Sequence, residues 1–253
     1  MKRVLVTGGV KRIGLSISRR LAAAGWHVIA HYNRSETEAF ELCDWGKSAG
    51  LNVDCVRADL SKADETSNLL PTIIKRFGPL SCLINNASQF ELDTIETVNA
   101  ESFQSHFKVN LFAPMILSKV FFENLDSDDD DPIIINILDQ KVDNLNPDFL
   151  SYTLSKSALH SLTKILANKW AGNVRVCAIA PGLALISGKQ TQESFERAWR
   201  ATPTGRSTTP DEIANAVVFL QNTKGVTGDT IFLDGGERLL RRARDVAFDD
   251  PSA

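Results

Sequence analysis

The stretch Arg3-Val-Leu-Val-Thr-Gly-Gly-Val-Lys-Arg-Ile-Gly14 joins a short apolar run to a turn that contains glycine. Residues Arg3 to Val6 predict a buried strand, and Thr7 to Gly14 predict a tight turn. A helix is expected from Leu15 to Ala24, ended by Gly25. Backbone amides at a helix N-terminus attract anions, and glycine lets the chain approach them closely. We therefore expect a phosphate cradle here, while a glycine turn alone also fits a plain connection between strand and helix.

The rest of the chain repeats this alternation of strand and helix. Further strands are predicted at Val28–Ala30, Asn52–Arg57, Cys82–Asn85, Ile133–Leu138, Val174–Ala180 and Thr230–Leu233. Further helices are predicted near Glu36–Ala49, Ala63–Phe77, Ala100–Asn124, Tyr152–Ala171 and Asp211–Leu220. Such alternation predicts an α/β fold, a single Rossmann-type doubly wound domain over residues 1–237. Its seven-stranded sheet should be mainly parallel, with helices on both faces and the ligand at the carboxyl ends of the strands.

Composition favours an ordinary globular enzyme. The chain has 253 residues, of which 43% are hydrophobic and 23% charged, which suits one α/β domain with a substantial core. The formal charge of −3 does not indicate nucleic-acid binding, which is typical of strongly basic domains. No apolar run approaches the roughly 20 residues of a membrane span, and the N-terminus enters a strand rather than a signal peptide. We expect a cytoplasmic protein with no membrane or nucleic-acid partner.

Neither the cysteines nor the histidines have the spacing of metal ligands. The four cysteines are far apart and are expected to be small core residues in a reducing compartment: Cys43, Cys55, Cys82 and Cys177. The four histidines fall in unrelated contexts: His27, His31, His106 and His160. No metal site is expected.

Tyr152 and Lys156 are candidate catalytic residues. Their spacing of four places both side chains on one face of a helix, so the lysine cation can stabilise the phenolate. A free tyrosine has a pKa near 10, and a neighbouring cation would lower that pKa toward neutrality and make Tyr152 a proton donor. For the pair alone, a surface tyrosine and lysine on an amphipathic helix are the simpler explanation.

Further motifs follow the cradle in a fixed order: Asn85-Asn-Ala-Ser88, Asn110, Tyr152 with Lys156, Pro181-Gly182, and Leu233-Asp-Gly-Gly236. With these motifs the sequence resembles the short-chain dehydrogenase/reductase family from about Val4 to Gly236. The resemblance implies that Asn110, Tyr152 and Lys156 are catalytic and that the protein is a homotetramer. It also implies cofactor contacts at Gly8, Lys11, Arg12, Ile13, Gly14, Asn33, Arg34, Ser35, Asp59, Leu60, Asn86, Ala87, Ser88, Tyr152, Lys156, Pro181 and Gly182.

Asp139 departs from the family pattern, which has serine or threonine after the fifth strand. A hydroxyl donates a hydrogen bond to a substrate carbonyl, whereas an ionised carboxylate only accepts. Asp139 therefore favours a substrate with N–H groups or, if burial keeps it protonated, a ring nitrogen that needs a proton.

Three segments resemble the pteridine reductase branch: the turn with Arg12, His31-Tyr-Asn-Arg-Ser35, and Asn85-Asn-Ala-Ser-Gln-Phe90. Expected substrate contacts are Arg12, Phe90, Asp139 and Tyr152, with Phe90 covering a flat ring. A solvated surface arginine and a core phenylalanine are the simpler readings of Arg12 and Phe90.

The end of the second strand favours NADPH over NADH. Enzymes that use NAD place an acid there for the ribose hydroxyls, and this acid repels a 2′-phosphate. Here no acid occurs before Glu36, while Arg34 and Ser35 offer a cation and a hydroxyl donor. Asp59 matches a family position that contacts adenine, but Asp59 or Ser61 could instead be the N-cap of the next helix.

These observations predict an NADPH-dependent reductase that transfers hydride to a C=N bond of a pterin-like substrate, of dihydropterin or dihydrofolate type. Two alternatives remain: a reductase of ketones or 3-oxoacyl thioesters, and a non-catalytic NADPH-binding regulator. The segment 183–209 is expected to form a substrate lid. The C-terminal tail, residues 238–253, is expected to be disordered or to dock on a neighbouring subunit.

Overall fold

Parallel strands form one sheet in the computed structural model, which describes residues 1–186 and 190–248. The seven strands found in these residues are β1 (Arg3–Val6), β2 (His27–Tyr32), β3 (Val53–Arg57), β4 (Cys82–Asn85), β5 (Ile133–Ile137), β6 (Arg175–Pro181) and β7 (Thr230–Leu233). Their order is β3-β2-β1-β4-β5-β6-β7, and every neighbouring pair is parallel. The predicted doubly wound α/β fold is confirmed.

Helices connect the strands: α1 (Arg12–Ala23), α2 (Glu36–Ser48), α3 (Ala63–Phe77), α4 (Ala100–Phe107), α5 (Ala113–Glu123), α6 (Leu150–Lys169), α7 (Gln192–Arg200) and α8 (Pro210–Asn222). Short 3-10 turns cover Gln140–Val142, Glu237–Leu239 and Val246–Phe248. Helix α7 was not predicted; it lies in the expected lid segment, of which residues 187–189 are outside the described residues. None of the described helices combines the length and apolar character needed to cross a membrane.

The predicted helix Ala100–Asn124 is interrupted by a π-helical turn at Lys108–Phe112. There the amide of Ala113 donates to the carbonyl of Lys108, five positions earlier. Pro114 explains the interruption, because it has no N–H to donate to the carbonyl of Asn110 and its ring crowds that carbonyl. The break places Asn110 within the π-helical turn.

The sheet is buried on both faces. Val4 and Val6 lie in one apolar cluster with side chains of α1, α2 and α8, whereas Leu5 lies in a second with side chains of α3, α5 and α6. Successive strand residues point to opposite faces, so both sets of helices are held by the same strands. Polar groups that need a ligand or water are therefore concentrated where the strands end.

The cysteines are free thiols in two different environments. Cys82 and Cys177 are buried in the sheet, as expected of small core residues. Cys43 and Cys55 are only half-buried, and their Sγ atoms lie 3.0 Å apart between α2 and β3.

Substitution of Gly14 should destabilise the turn between β1 and α1. A Cβ atom there would lie 2.0 Å from the Gly8 carbonyl oxygen. We expect Gly14→Ala to cost about 1–3 kcal/mol of folding free energy and to lower Tm by several degrees. Gly225→Ala is the matched control, because a Cβ there meets no heavy atom of the described residues within 4 Å. Equal melting temperatures for both variants and the wild type would contradict this steric argument.

Candidate active site

A cavity of about 790 Å³ runs along the carboxyl ends of the strands. Its lining contains most of the residues predicted for the site: Gly8, Lys11, Arg12, Ile13, Gly14, Asn33, Arg34, Ser35, Asp59, Leu60, Asn86, Ala87, Ser88, Phe90, Asp139, Tyr152 and Gly182. Asn110, Lys156 and Pro181 are buried and do not line it. The structure thus brings residues from across the chain to one edge of the sheet.

The cradle between β1 and α1 is held by two polar side chains. His31 accepts the amide of Gly8 at 3.1 Å through Nδ1, and its Nε2 lies 3.0 Å from the carbonyl of Ala58. Burial lowers the pKa of His31 to about 4, so the ring is neutral and its proton resides on Nε2. Asn86 donates to the carbonyls of Thr7 and Gly8. The sequence showed the motif that contains His31, but it did not show that His31 holds the cradle through the amide of Gly8.

The helix that follows the cradle offers its first amides to an anion. Within the described chain, the N-cap residue Lys11 makes no side-chain cap, and the first turn contains no acid. Arg12 adopts a left-handed conformation with φ of 53° and donates to the carbonyl of Ile186 at 3.1 Å. This conformation is costly for a residue with a side chain, so it needs surrounding contacts to persist. Arg12 thereby joins the cradle to the start of the segment 183–209.

Beyond β2, the chain places a cation beside the cavity. Arg34 is exposed and Ser35 is buried at the start of α2. Asp59 accepts hydrogen bonds from both the amide and the hydroxyl of Ser61, and chiefly this hydroxyl lowers the pKa of Asp59. The suggestion that Asp59 or Ser61 caps α3 is wrong, because the N-cap is Lys62.

Tyr152 and Lys156 share one face of α6, as their spacing predicts, but they have different partners. The Tyr152 hydroxyl donates to Oδ2 of Asp139 at 2.8 Å. The ammonium group of Lys156 donates to the carbonyl of Ile137 at 2.8 Å and lies 5.7 Å from the centre of the Tyr152 ring. The other oxygen of Asp139 accepts the amide of Lys141. Asp139 therefore fixes the tyrosine hydroxyl at the end of β5.

Burial dominates the electrostatics of this group. It raises the pKa of Asp139 and lowers the pKa of Lys156 to about 8. The pKa of Tyr152 lies well above 10 because of burial first and the Asp139 carboxylate second. The expectation that Lys156 lowers the tyrosine pKa is thus wrong for this arrangement. Tyr152 instead stays protonated at neutral pH and can donate a proton.

Asn110 positions the loop after β4. Its amide nitrogen donates to the carbonyl of Gln89 and the hydroxyl of Ser155, and its oxygen accepts the amide of Gln89 at 2.8 Å. The side chain is fully buried. Asn110 thereby ties the loop that carries Phe90 to α6, which carries Tyr152.

An aromatic wall stands beside the tyrosine. Phe90 stacks on Phe149 with 4.4 Å between ring centres and meets Tyr152 edge to face at 4.6 Å. Phe149 has a left-handed φ of 57° and also stacks at 6.0 Å on Phe248. Phe90 remains partly exposed to the cavity. Sequence reasoning missed Phe149, which lies outside every motif.

The tail packs on its own chain rather than being disordered, as far as residue 248. Asp245 pairs with the buried ammonium group of Lys141 at 2.6 Å. Arg244 binds both carboxylate oxygens of Asp148. A buried lysine needs a counter-charge, which explains why the tail folds back here. Residues 249–253 lie outside the described residues.

The cavity has further lining residues that sequence reasoning missed: Gln140, Lys141, Glu237, Asp245 and Val246. The charged residues of the tail, basic first and then acidic, were a signal for Asp245, because they can pair with charged residues after β5 such as Lys141. Among the described residues, no group of three or more His, Cys, Asp or Glu side chains could hold a metal ion.

Comparison with known proteins identifies the family. The family model for short chain dehydrogenase matches residues 2–197. The chain belongs to the short-chain dehydrogenase family. The predicted resemblance is confirmed, and this short-chain dehydrogenase is an oxidoreductase. An uncharacterized oxidoreductase of Methylorubrum extorquens is 32% identical over 245 residues, which are 94% of this chain and 98% of that protein.

Two solved structures are more similar still. The FolM Alternative dihydrofolate reductase 1 of Brucella canis, crystallised with NADP, is 39% identical with a TM-score of 0.91, covering 96% of each chain. Its Brucella suis counterpart, also in complex with NADP, is 39% identical with a TM-score of 0.91, covering 95% of this chain and 96% of that one. These relatives confirm the resemblance to the pteridine reductase-like branch.

Removal of the tyrosine hydroxyl should block proton delivery. We expect Tyr152→Phe to lower kcat by a factor on the order of 100 or more, because the phenol is the protonated group held by Asp139. Cofactor affinity, measured by fluorescence titration, should stay within about twofold. Turnover close to that of the wild type would show that Tyr152 is not the donor.

Proposed function

We propose that this short-chain dehydrogenase transfers hydride from NADPH to a C=N bond of a pterin-like substrate, of dihydropterin or dihydrofolate type. The observation that carries the proposal is the buried Asp139 carboxyl, hydrogen-bonded to Tyr152 at the end of β5. The family resemblance places a carbonyl-binding hydroxyl at this position. A carboxyl there favours a substrate that presents nitrogen.

The protein is an NADPH-dependent reductase, and its cavity fits that cofactor. Gly14 leaves no room for a side chain at the cradle, and the first amides of α1 suit a pyrophosphate. Arg34 and Ser35 would hold the 2′-phosphate, and Asp59 the adenine end. Tyr152, which lines the cavity, would contact the nicotinamide ribose, with Lys156 buried behind it. When bound, NADPH supplies the hydride that reduces the C=N carbon. Both Brucella relatives were crystallised with NADP.

The chain's own residues supply the proton. Tyr152 is protonated at neutral pH and would donate from its hydroxyl to the substrate nitrogen. Its raised pKa makes it a weaker acid than a free tyrosine, and Asp139 lies within hydrogen-bond distance to return a proton to it. Asp139 also has a raised pKa, so it can hold that proton at a higher pH than an exposed aspartate can. Phe90 offers a flat apolar face beside Tyr152 for the substrate ring.

Reduction of ketones or 3-oxoacyl thioesters is the second candidate function. A protonated Tyr152 could also donate to a carbonyl oxygen, and the intact Lys156 and Asn110 weigh against a regulator without catalysis. Asp139 argues against carbonyls, because its ionised form repels the carbonyl oxygen. The loss of NADPH absorbance with a dihydropterin, with a 3-oxoacyl thioester, or with neither substrate separates the three functions.

The cofactor preference should depend on Arg34. Arg34→Asp replaces attraction to the 2′-phosphate by repulsion, so the affinity for NADPH should fall about tenfold or more and the preference should move toward NADH. Both cofactors can be titrated by fluorescence. Lys47→Asp is the control, because it makes the same charge change at an exposed site at the far end of α2. An unchanged preference in Arg34→Asp would overturn the assignment of this residue.

Substrate class should depend on Asp139. Asp139→Ser should lose pterin reduction and gain activity on ketones, since it restores the hydroxyl donor. Asp139→Asn keeps hydrogen-bonding capacity but cannot deliver a proton, so it separates binding from acid catalysis. We would compare kcat/KM for a dihydropterin and a ketone across the three proteins. The second candidate function would be favoured if the wild type reduces only the ketone and the Asp139→Ser variant reduces it better.

A further inference from the structure

Glu237 is a carboxyl residue of the cavity to which the proposed mechanism gives no role. It begins the 3-10 turn directly after Leu233-Asp-Gly-Gly236 and is 3% exposed. It lines the same cavity as Asp139 and Tyr152. Carboxyl groups after β5 and after β7, together with Asp245 of the tail, therefore border this end of the cavity.

The backbone of Glu237 is firmly held, but its carboxyl is not satisfied. Its amide donates to the carbonyl of Asp234 at 3.0 Å, and its own carbonyl accepts from Asn144 at 3.4 Å. Its Oε2 atom is buried without a hydrogen-bond partner in the part of the chain that the structure describes. The absence of a side chain at Gly182 makes room for this oxygen, since a Cβ there would lie 3.1 Å from it. A buried carboxyl oxygen without a donor is unfavourable, and a ligand that donates to it would relieve this cost.

The charges around Glu237 also favour a ligand with N–H groups. The charged groups that act on it are Asp139 after β5, Asp234 after β7, and Asp245 and Arg242 in the tail. Asp234 is paired with Arg238, and Asp245 with Lys141. Burial first, and these acids second, raise the pKa of Glu237 to about 7. An N–H donor would stabilise the ionised form against its acidic neighbours, whereas a carbonyl oxygen would add to the repulsion.

We propose that Glu237 is a specificity-determining residue that binds the substrate by accepting hydrogen bonds from the N–H groups of an amino-substituted heterocycle. The inference rests on the proposed function for the class of substrate. Asp139 lines the cavity after β5 and takes part in the proton transfer. Glu237 lines it after β7 and binds the N–H groups of the substrate. The two carboxyls together select a ring that carries several N–H donors over a ketone.

The test compares Glu237→Gln and Glu237→Leu with the wild type, each loaded with NADPH. The KM for a dihydropterin should rise about tenfold in Glu237→Gln and further in Glu237→Leu, because a charged acceptor is weakened and then removed. The value of kcat should change less than KM. Glu101→Gln, an exposed acid on α4, is the control and should leave both constants unchanged. A KM within about twofold of the wild type in both Glu237 variants would overturn the proposal.

Thermal stability separates recognition from a merely structural role. The raised pKa means that the folded state binds more protons than the unfolded state between pH about 4.5 and about 7, so Glu237 lowers stability progressively as pH rises through this range. Without substrate, Glu237→Gln should therefore melt at or above the wild-type temperature at pH about 8, with a smaller difference at pH about 4.5. A lower Tm at the higher pH together with a proportional loss of kcat would indicate a structural role and contradict the proposal.

Direct binding distinguishes failure of this inference from failure of the proposed reaction. A non-reducible 2,4-diaminopteridine would be titrated calorimetrically into the wild type and both variants, each saturated with NADP. Affinity that falls about tenfold on substitution supports the role of Glu237 even if the wild type reduces no dihydropterin, in which case the reaction alone is wrong. Equal affinity in all three proteins overturns the role of Glu237 alone. No binding to the wild type overturns both.

Discussion

Burial of the sheet on both faces is the constraint on which the site depends. Val4, Leu5 and Val6 are all completely buried, so β1 has no face on which to carry chemistry. Two buried asparagines within the strands form a hydrogen-bonded chain: Asn85 donates to Asn136, which donates to Thr163. Functional groups therefore collect at the carboxyl edge of the sheet. The cradle, the cation after β2, and the carboxyls after β5 and β7 meet there for this single reason.

At that edge, burial rather than attraction between neighbours decides which groups hold protons. Lys156 is close to Tyr152, yet desolvation lowers the lysine pKa to about 8 and raises that of the tyrosine. The third group is the carboxyl of Asp139, which also has a raised pKa and accepts a hydrogen bond from the Tyr152 hydroxyl. Removing water from these groups therefore keeps Tyr152 protonated at neutral pH. The same physical effect raises the pKa of Glu237.

Local patterns in the sequence predicted the fold well, and most of the site residues that they indicated line one cavity. Glycines, apolar runs and residues that follow strand ends depend on short-range geometry, so the position of the cradle and of Arg34 could be inferred. The substrate end depends on contacts distant in sequence, such as Lys141 with Asp245, 104 positions apart. The burial of Tyr152 and its hydrogen bond to Asp139, which together raise its pKa, likewise became clear only in three dimensions. Pro114 could have revealed the π-helical turn, because a missing N–H is readable in the sequence.

The folded-back tail forms part of the wall of the cavity. Arg244 forms a hydrogen-bonded ion pair with Asp148, and Asp245 forms one with Lys141. Asp245 and Val246 line the cavity. Lys141 is buried, so displacing the tail would leave its ammonium group without its carboxylate partner. Removal of residues 244–246 should therefore disturb this end of the cavity.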